Sequence, residues 1–275
     1  MKFLKEMEKS AKHWLRERNV YFGKKTKVSE LNEFLLRVRP KVTSFDLIRI
    51  GEDSDGGYLL PDDFEGIDAC FSPGVSVETH FESALSSKGI MSHLADFSVD
   101  QPEMEGDSFS FEKKFLGIEN DTIHMTLESW VSRKAQNDSG NMILQMDIEG
   151  DEYDVIFDTS NDILKRFRII VIEFHRLDTL LDRYGYQIIN TAFRKLLKNF
   201  SVVHIHPNNC SEPVQFKEYD FPPVMEFTFL RNDRLSEANF VESFPHELDR
   251  MNVPGNNDFA LPKCWYKSSG EMTKL

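Results

Sequence analysis

The sequence predicts an α/β protein built on a mostly parallel β-sheet with helices on both faces. Short apolar runs, typical of buried strands, recur between residues 67 and 230, and stretches with helical spacing of apolar residues separate most of them. The 275-residue chain also contains 23 phenylalanines, enough aromatic surface for a substantial core. Strands that alternate with helices form βαβ units, and these units pair their strands in parallel.

A helical extension is predicted before the sheet, at residues 1–45. A basic amphipathic helix is expected in residues 1–20, where many Lys and Arg residues accompany an apolar stripe at helical spacing. The stripe consists of Phe3, Leu4, Met7, Ala11, Trp14 and Leu15. A second helix is expected at residues 29–38, with Ser29 as its N-cap and Pro40 after its end.

Residues 46–232 form the predicted sheet domain. It opens at residues 47–61 with two apolar runs around a Gly-rich acidic turn, which indicates a hairpin or a strand–loop–strand unit. Further strands are expected at 67–71, 90–95, 109–116, 142–146, 169–174, 202–206 and 225–230. Helices are expected at 78–88, 127–135, 152–157 and 177–197, the last with Gly185 as a potential break. The proline-containing residues 233–275 are predicted to be an irregular tail packed on this domain.

The charge distribution excludes some functions and suggests one. Acidic residues outnumber basic ones by 46 to 33, so the net charge is −13, and a nucleic-acid-binding role is not expected. Residues 1–28 nevertheless carry +6, which leaves −19 on the rest of the chain. Residues 1–20 therefore suggest an arm that docks on a membrane surface or a partner, the alternative being a helix packed on its own domain. The sequence does not indicate an oligomeric state.

Cysteine usage and hydropathy point to the cytoplasm. The three cysteines, Cys70, Cys210 and Cys264, are odd in number and widely spaced, so a disulfide framework is not expected. No apolar run is long enough to span a bilayer, and residues 1–20 lack the apolar core of a signal peptide.

In parallel sheets, ligands bind beyond the carboxyl ends of the strands, so the residues that follow each strand are candidates for a site. Gly74 lies in a strand-to-helix turn, where a glycine lets the backbone approach a ligand closely. Asp96 follows the next strand about twenty residues later, and an acid there can accept both ribose hydroxyls of an adenosine ligand. Together they indicate a nucleoside ligand without a pyrophosphate, whereas each alone also fits an ordinary turn or a solvated acid.

An acidic turn follows the strand at 142–146. Asp147, Glu149, Asp151 and Glu152 crowd around Gly150 there, and carboxylates at this density need a cation, an ammonium group or full hydration. The helix dipole accounts for Asp151 and Glu152 as acids of a first helical turn. It accounts poorly for Asp147, which stands at the strand end.

Histidines follow or lie on two later strands. Strand alternation places Glu173 and His175 on one side of their strand, and His204 and His206 on one face of another. Such residues could hold a divalent metal or supply a general base near neutral pH. The alternative is a pair of half-buried, hydrogen-bonded histidines.

Taken together, these segments resemble the FkbM family of S-adenosylmethionine-dependent methyltransferases, in its branch of methyltransferase-like proteins. The resemblance runs from about residue 47 to residue 262. It rests on RIGEDSDGGYLLP, FSPGVSVETHFE, HLADFS, LQMDIEGDEYDVI, IEFHRLD, VVHIHPNNC and FPHELDRMNVPGNNDFALP, among which the MDIEGDE core is the most specific.

The resemblance implies a class I methyltransferase fold, a Rossmann-like, mostly parallel seven-stranded sheet with a terminal antiparallel hairpin. It implies S-adenosylmethionine contacts at Ser72, Gly74, Asp96 and Asp147. It also implies O-methylation of a sugar, a glycan or another small hydroxylated acceptor.

The acceptor hydroxyl must lose its proton, and the sequence leaves two mechanisms open. His204 or His175 would act as the base, with Glu149 orienting the acceptor or the base. Alternatively, Mg²⁺ or Mn²⁺ held by Asp147, Glu173 and His204 would lower the pKa of the hydroxyl. Under either mechanism, Asp147, Glu173, His175 and His204 are expected to converge in one cleft. Rival functions are a methyltransferase for another small metabolite and a non-catalytic nucleoside-binding module.

Overall fold

The computed structural model describes residues 6–7, 10, 12–15, 17–18, 23–104, 106–135, 140–236, 239–268 and 270. Of the predicted basic helix, residues 6–7, 10 and 12–15 are helical. Met7 and Trp14 of its apolar stripe are 56% and 50% exposed, whereas Phe3, Leu4 and Ala11 lie outside the described residues.

The second predicted helix, α1, spans Val28–Val38 and begins one residue earlier than expected. Its N-cap is Lys27 rather than Ser29, and Glu30 accepts a hydrogen bond from the Lys27 backbone N–H. Strands β1 (Leu47–Ile50) and β2 (Tyr58–Pro61) then pair antiparallel, as the sequence predicts for residues 47–61.

The centre of the molecule is a seven-stranded sheet. Its strands are β3 (Ala69–Pro73), β4 (Met91–Ala95), β5 (Phe109–Glu112), β8 (Met142–Met146), β9 (Phe167–Phe174), β10 (Phe200–Pro207) and β13 (Met225–Arg231). They are arranged in the order β10-β13-β9-β8-β3-β4-β5. β13 is antiparallel to β9 and β10, and the remaining pairings within this sheet are parallel. The prediction of a mostly parallel α/β sheet is confirmed.

Two strand pairs differ from the prediction. The strand expected at 109–116 is divided, because the chain turns at Lys114 and β6 (Phe115–Gly117) pairs with β7 (His124–Thr126) outside the main sheet. The hairpin of β11 (Val214–Phe216) and β12 (Tyr219–Phe221) was not predicted.

The connecting helices are α2 (His80–Ser86), α3 (Leu127–Lys134), α4 (Glu152–Asp158), α5 (Asn161–Leu164) and α6 (Arg183–Leu196). The helix expected at 177–197 is interrupted at Asp182 rather than at Gly185. Leu177–Leu181 form a 3₁₀ turn, and the Asp182 carboxylate caps α6 by accepting from the N–H groups of Tyr184 and Gly185.

The sheet has an apolar core on each face. Successive residues such as Ile143 and Leu144, or Val171 and Ile172, belong to different cores, as strand alternation requires. One face packs against α1, α3, α4 and α6, and the other against α2 and the β1–β2 hairpin. The irregular tail contributes the fully buried Trp265 to the first core. Among the described residues, no helix combines the length and apolar composition needed to cross a bilayer.

Candidate functional site

Two adjoining clefts open at the carboxyl ends of the central strands β3, β4 and β8. The larger cleft has a volume of about 660 Å³ and the smaller cleft about 190 Å³. Both are lined by Gly74, Val75, Ser76 and Asp147, so the turn after β3 and the residue after β8 form their common floor. Ligands of parallel sheets bind beyond the carboxyl ends of the strands, which we call the strand-end rule, and this is the edge at which that rule predicts a ligand.

Gly74 is required at this junction by its backbone geometry. Its φ of +84° lies in the left-handed region, which side-chain-bearing residues rarely adopt. A Cβ at this position would lie 1.6 Å from the backbone oxygen of Asp147. The glycine therefore lets the ends of β3 and β8 approach each other closely, so that Asp147 reaches both clefts.

The larger cleft combines apolar walls with four acids, Asp96, Asp147, Glu149 and Asp151, of which Asp96 is buried. Asp96 directly follows β4, and its Oδ1 accepts hydrogen bonds from the backbone N–H and the hydroxyl of Ser98, both at 2.6 Å. The remaining carboxylate oxygen is not used by these bonds. The apolar lining comes from Val75, Val77, Ala95, Val99, Phe115, Leu116 and Ile148. An acid at one end and apolar walls beyond it suit a ribose and a flat aromatic base.

The smaller cleft is strongly acidic, and the β1–β2 hairpin forms one of its walls. Its acids are Glu52, Asp55, Glu78, Glu82 and Asp147. The Arg49 guanidinium holds the hairpin loop in place by donating to the backbone oxygens of Glu52 (2.5 Å) and Ser54 (2.7 Å). The sequence predicted the hairpin but not this role, for which its only signal was that residues 49–61 belong to the family resemblance.

Ser72 does not line either cleft. It is fully buried, and its hydroxyl lies within hydrogen-bond distance of Glu82 Oε1 and of Gln145 Oε1, the latter at 2.6 Å. A hydroxyl carries one proton, so one of these partners must donate to it. Burial raises the pKa of Glu82 above its ordinary value, which favours Glu82 in its protonated, donating form. Ser72 thus supports the smaller cleft from behind.

The acidic turn after β8 is organised by Glu152, whose role the sequence did not reveal. Glu152 is fully buried, although the helix-dipole interpretation makes it an ordinary acid of a first helical turn. Its Oε1 accepts from the backbone N–H groups of Ile148 (3.2 Å) and Gly150 (3.0 Å), and it also lies 3.1 Å from His175 Nδ1. One carboxylate therefore fixes both the turn and the imidazole of His175.

His175 lies at the centre of a carboxylate–histidine cluster, which we define as Asp147, Glu149, Glu173 and His175. With Nδ1 held by Glu152, the other ring nitrogen, Nε2, lies 3.5 Å from Glu149 Oε2, 3.7 Å from Glu173 Oε1 and 4.0 Å from Asp147 Oδ1. Burial lowers the pKa of His175, but the hydrogen bond to Glu152 and the surrounding negative charges outweigh this effect and raise it. The surrounding carboxylates thus favour the protonated form of His175.

The cluster contains three carboxylates but only one group, His175, that can carry a positive charge. Burial, reinforced by Glu149 and Glu152 and opposed by His175, raises the pKa of Asp147 to about 7. Asp147 Oδ1 is buried and has no hydrogen-bond partner among the described residues. Burial and the charge of Asp147 also raise the pKa of Glu173, which accepts from the Asn208 side chain at 3.2 and 3.3 Å. The cluster can take up a proton or a cation.

The structure does not bring His204 to this cluster. His204 is aligned across the sheet with Val171, and β10 lies two strands beyond β9, about 10 Å away. Its side chain is 2% exposed, and its Nε2 lies 2.9 Å from Asp249 Oδ1 of the tail. His206 is also buried beside Asp249. The expected convergence in one cleft is therefore met by Asp147, Glu173 and His175 but not by His204.

The metal set inferred from the sequence is changed in the same way. Ligand atoms of Asp147, Glu149 and His175 all lie within 4.8 Å of one another, so Glu149 and His175 take the places that the sequence gave to Glu173 and His204. Glu173 remains adjacent, behind His175.

Comparison with protein families finds that residues 75–195 match the model described as the methyltransferase FkbM domain. The match begins directly after Gly74 and includes Asp96, Asp147 and His175. The family resemblance is thereby confirmed over this range, which is similar to the FkbM methyltransferase domain. A comparison with curated proteins found no match.

Proposed function

From the FkbM methyltransferase domain at residues 75–195, we propose that this protein transfers a methyl group from S-adenosylmethionine to a hydroxyl of a sugar or glycan. The observation that carries the proposal is the continuity of the two clefts. A cleft with apolar walls contains Asp96, an acidic cleft adjoins it through the turn at Gly74, and the carboxylate–histidine cluster begins at their common residue, Asp147.

The residues fit the methyl donor at both of its ends. Asp96 would accept hydrogen bonds from the ribose, and the apolar walls of the larger cleft would hold the adenine. The smaller cleft would receive the methionine end, because its acids favour the positive sulfonium and ammonium groups. When bound, S-adenosylmethionine supplies an electrophilic methyl group. The strand order and the antiparallel β10–β13 pair support assigning the chain to the class I methyltransferase fold.

A neutral, hydroxylated acceptor fits the charge of the site. The acids of the smaller cleft and of the carboxylate–histidine cluster repel phosphorylated or carboxylated acceptors. A sugar hydroxyl carries no charge and can donate hydrogen bonds to carboxylate oxygens. Glu149 is suited to orient it, because its side chain is 89% exposed and reaches His175.

Asp147 is the group that we assign to accept the proton of the acceptor hydroxyl. A general base works best when its pKa is close to the working pH, and the pKa of Asp147 is about 7. His175 is held by Glu152 and lies 4.0 Å from Asp147, so its role is to position that carboxylate and, when protonated, to balance its charge. A positioned general base contributes roughly 10²–10⁴-fold to the rate.

Residues 1–20 are proposed to dock the enzyme on an anionic membrane or a partner that carries the acceptor. Two observations support this arm: the +6 charge of residues 1–28 and the exposure of Met7 and Trp14. The three cysteines are unpaired, which is typical of a reducing compartment, and on that ground we propose a cytoplasmic location.

The experiment that tests this function measures transfer of a radiolabelled methyl group from S-adenosylmethionine to neutral glycans, with phosphorylated and carboxylated glycans in parallel. We expect alkali-stable label on neutral glycans, loss of labelling in Asp147→Asn and retention in His204→Gln. Donor binding without transfer to any acceptor would indicate a non-catalytic binding module. Label appearing first on a small amine or phosphate ester would refute the sugar assignment.

A further inference from the structure

The carboxylate–histidine cluster has the arrangement of a divalent-cation site. Asp147, Glu149 and His175 each offer one ligand atom, and these atoms lie within 4.8 Å of one another. Ligands bound to one ion at ~2.1 Å stand roughly 3.0–3.4 Å apart. The distances of 3.5 Å from His175 Nε2 to Glu149 and 4.0 Å to Asp147 need only a small contraction to reach that spacing.

The hydrogen bonding of His175 supports the same conclusion independently. Histidines that bind metals commonly have their other ring nitrogen held by a carboxylate, which fixes the tautomer and aims the free nitrogen at the ion. Glu152 occupies that position, 3.1 Å from His175 Nδ1. Because Glu152 is fully buried and also accepts from two backbone N–H groups, it holds the imidazole rigidly.

The unpaired Asp147 Oδ1 distinguishes a cation site from a closed ion-pair network. This atom is buried and lacks a hydrogen-bond partner in the part of the chain that the structure describes, although His175 Nε2 is 4.0 Å away. In a network completed by side chains alone, such an oxygen would be paired. Glu173, 3.7 Å from the same ring nitrogen, adds a further buried carboxyl group beside it.

We propose that Asp147, Glu149 and His175 Nε2 bind one Mn²⁺ or Mg²⁺ ion. Two carboxylates and one imidazole without a thiolate favour these ions over softer metals. The exposed Glu149 side chain gives the ion a route from solvent to the buried oxygen of Asp147. Binding would displace the proton of His175 Nε2 to solvent. The bound ion would lower the pKa of the acceptor hydroxyl, whose proton would pass to solvent water, so that Asp147 would act as a ligand instead of as the base. This role rests on the proposed function, but the binding itself does not.

Binding is tested on the full-length protein without S-adenosylmethionine, by titrating MnCl₂ and following the loss of the free Mn²⁺ electron paramagnetic resonance signal. We expect one equivalent to bind, to be displaced by excess MgCl₂, and to bind roughly 10–100-fold more weakly in His175→Gln and Glu149→Gln. His124→Gln is the matched control, because His124 is likewise a histidine beside an acid, 3.2 Å from Asp121, and it should bind as wild type.

Thermal unfolding with and without Mn²⁺ verifies that each variant is folded, and the exposed Glu149 side chain makes Glu149→Gln the safest test. Wild type that binds no equivalent of Mn²⁺, or variants that bind it as tightly as wild type, would overturn the inference. If transfer also survives a chelator, Asp147 acts as the base and the proposed function stands. If Mn²⁺ binds but no methyl group is transferred, the proposed function fails and the cation site remains.

Discussion

Replacing Gly74 by alanine tests how the two clefts are joined. The φ of +84° costs an alanine roughly 1–2 kcal/mol. The new Cβ would lie 1.6 Å from the backbone oxygen of Asp147, so β3 and β8 must separate, and such overpacking costs roughly 1–3 kcal/mol more. Gly74→Ala should therefore destabilise the fold by about 2–5 kcal/mol and displace Asp147.

Gly89→Ala is the matched control for this prediction. Gly89 has a similar φ of +77°, but its added Cβ would have no neighbour within 4 Å. Urea unfolding should thus show a loss of only roughly 1–2 kcal/mol for Gly89→Ala. The difference between the variants isolates the collision with Asp147. Equal stabilities, together with unchanged binding of S-adenosylmethionine by Gly74→Ala, would refute the argument that this glycine joins the clefts.

Further outcomes follow from other parts of the molecule. Asp96→Ala should weaken binding of S-adenosylmethionine by roughly 1.5–3 kcal/mol in equilibrium dialysis, and unchanged binding would exclude the ribose contact. Deleting residues 1–20 should reduce sedimentation with anionic vesicles while circular dichroism stays the same; a less stable truncated protein would place the helix in the core. The raised pKa of Asp147 gives a stability contribution that is full below about pH 3.8 and is lost as pH rises through about 7. Asp147→Asn should therefore gain stability relative to wild type between pH 5 and pH 8 in urea unfolding, and a gain that does not grow with pH would contradict the buried-carboxylate assignment.

Much of the fold could be predicted because its signals are local. Apolar runs and helical spacing locate the strands of the central sheet, since each run must be buried on both faces. The β6–β7 and β11–β12 pairs were missed because short, partly exposed strands leave no comparable run. The helix breaks at Asp182 because its carboxylate caps the following helix, and the sequence alone does not show whether the break lies there or at Gly185.

The site could be predicted only as far as the strand-end rule reaches. That rule placed Asp96, Asp147 and His175 on the correct edge, because each directly follows a parallel strand. It did not exclude His204, since alternation gives the face of a strand but neither the strand order nor the tail residue Asp249 that covers it. The role of Glu152 could not be predicted, because the sequence does not show whether an acid of a first helical turn is exposed or buried.

The central claim is that the clefts joined at Gly74 bind S-adenosylmethionine as the methyl donor. Its most direct test is a calorimetric titration of the full-length protein with S-adenosylmethionine, repeated with S-adenosylhomocysteine as competitor. We predict one site per chain with a dissociation constant below ~1 mM, competition between the two ligands, and weaker binding in Asp96→Ala. Absence of binding at millimolar ligand, or binding that Asp96→Ala leaves unchanged, would contradict the account.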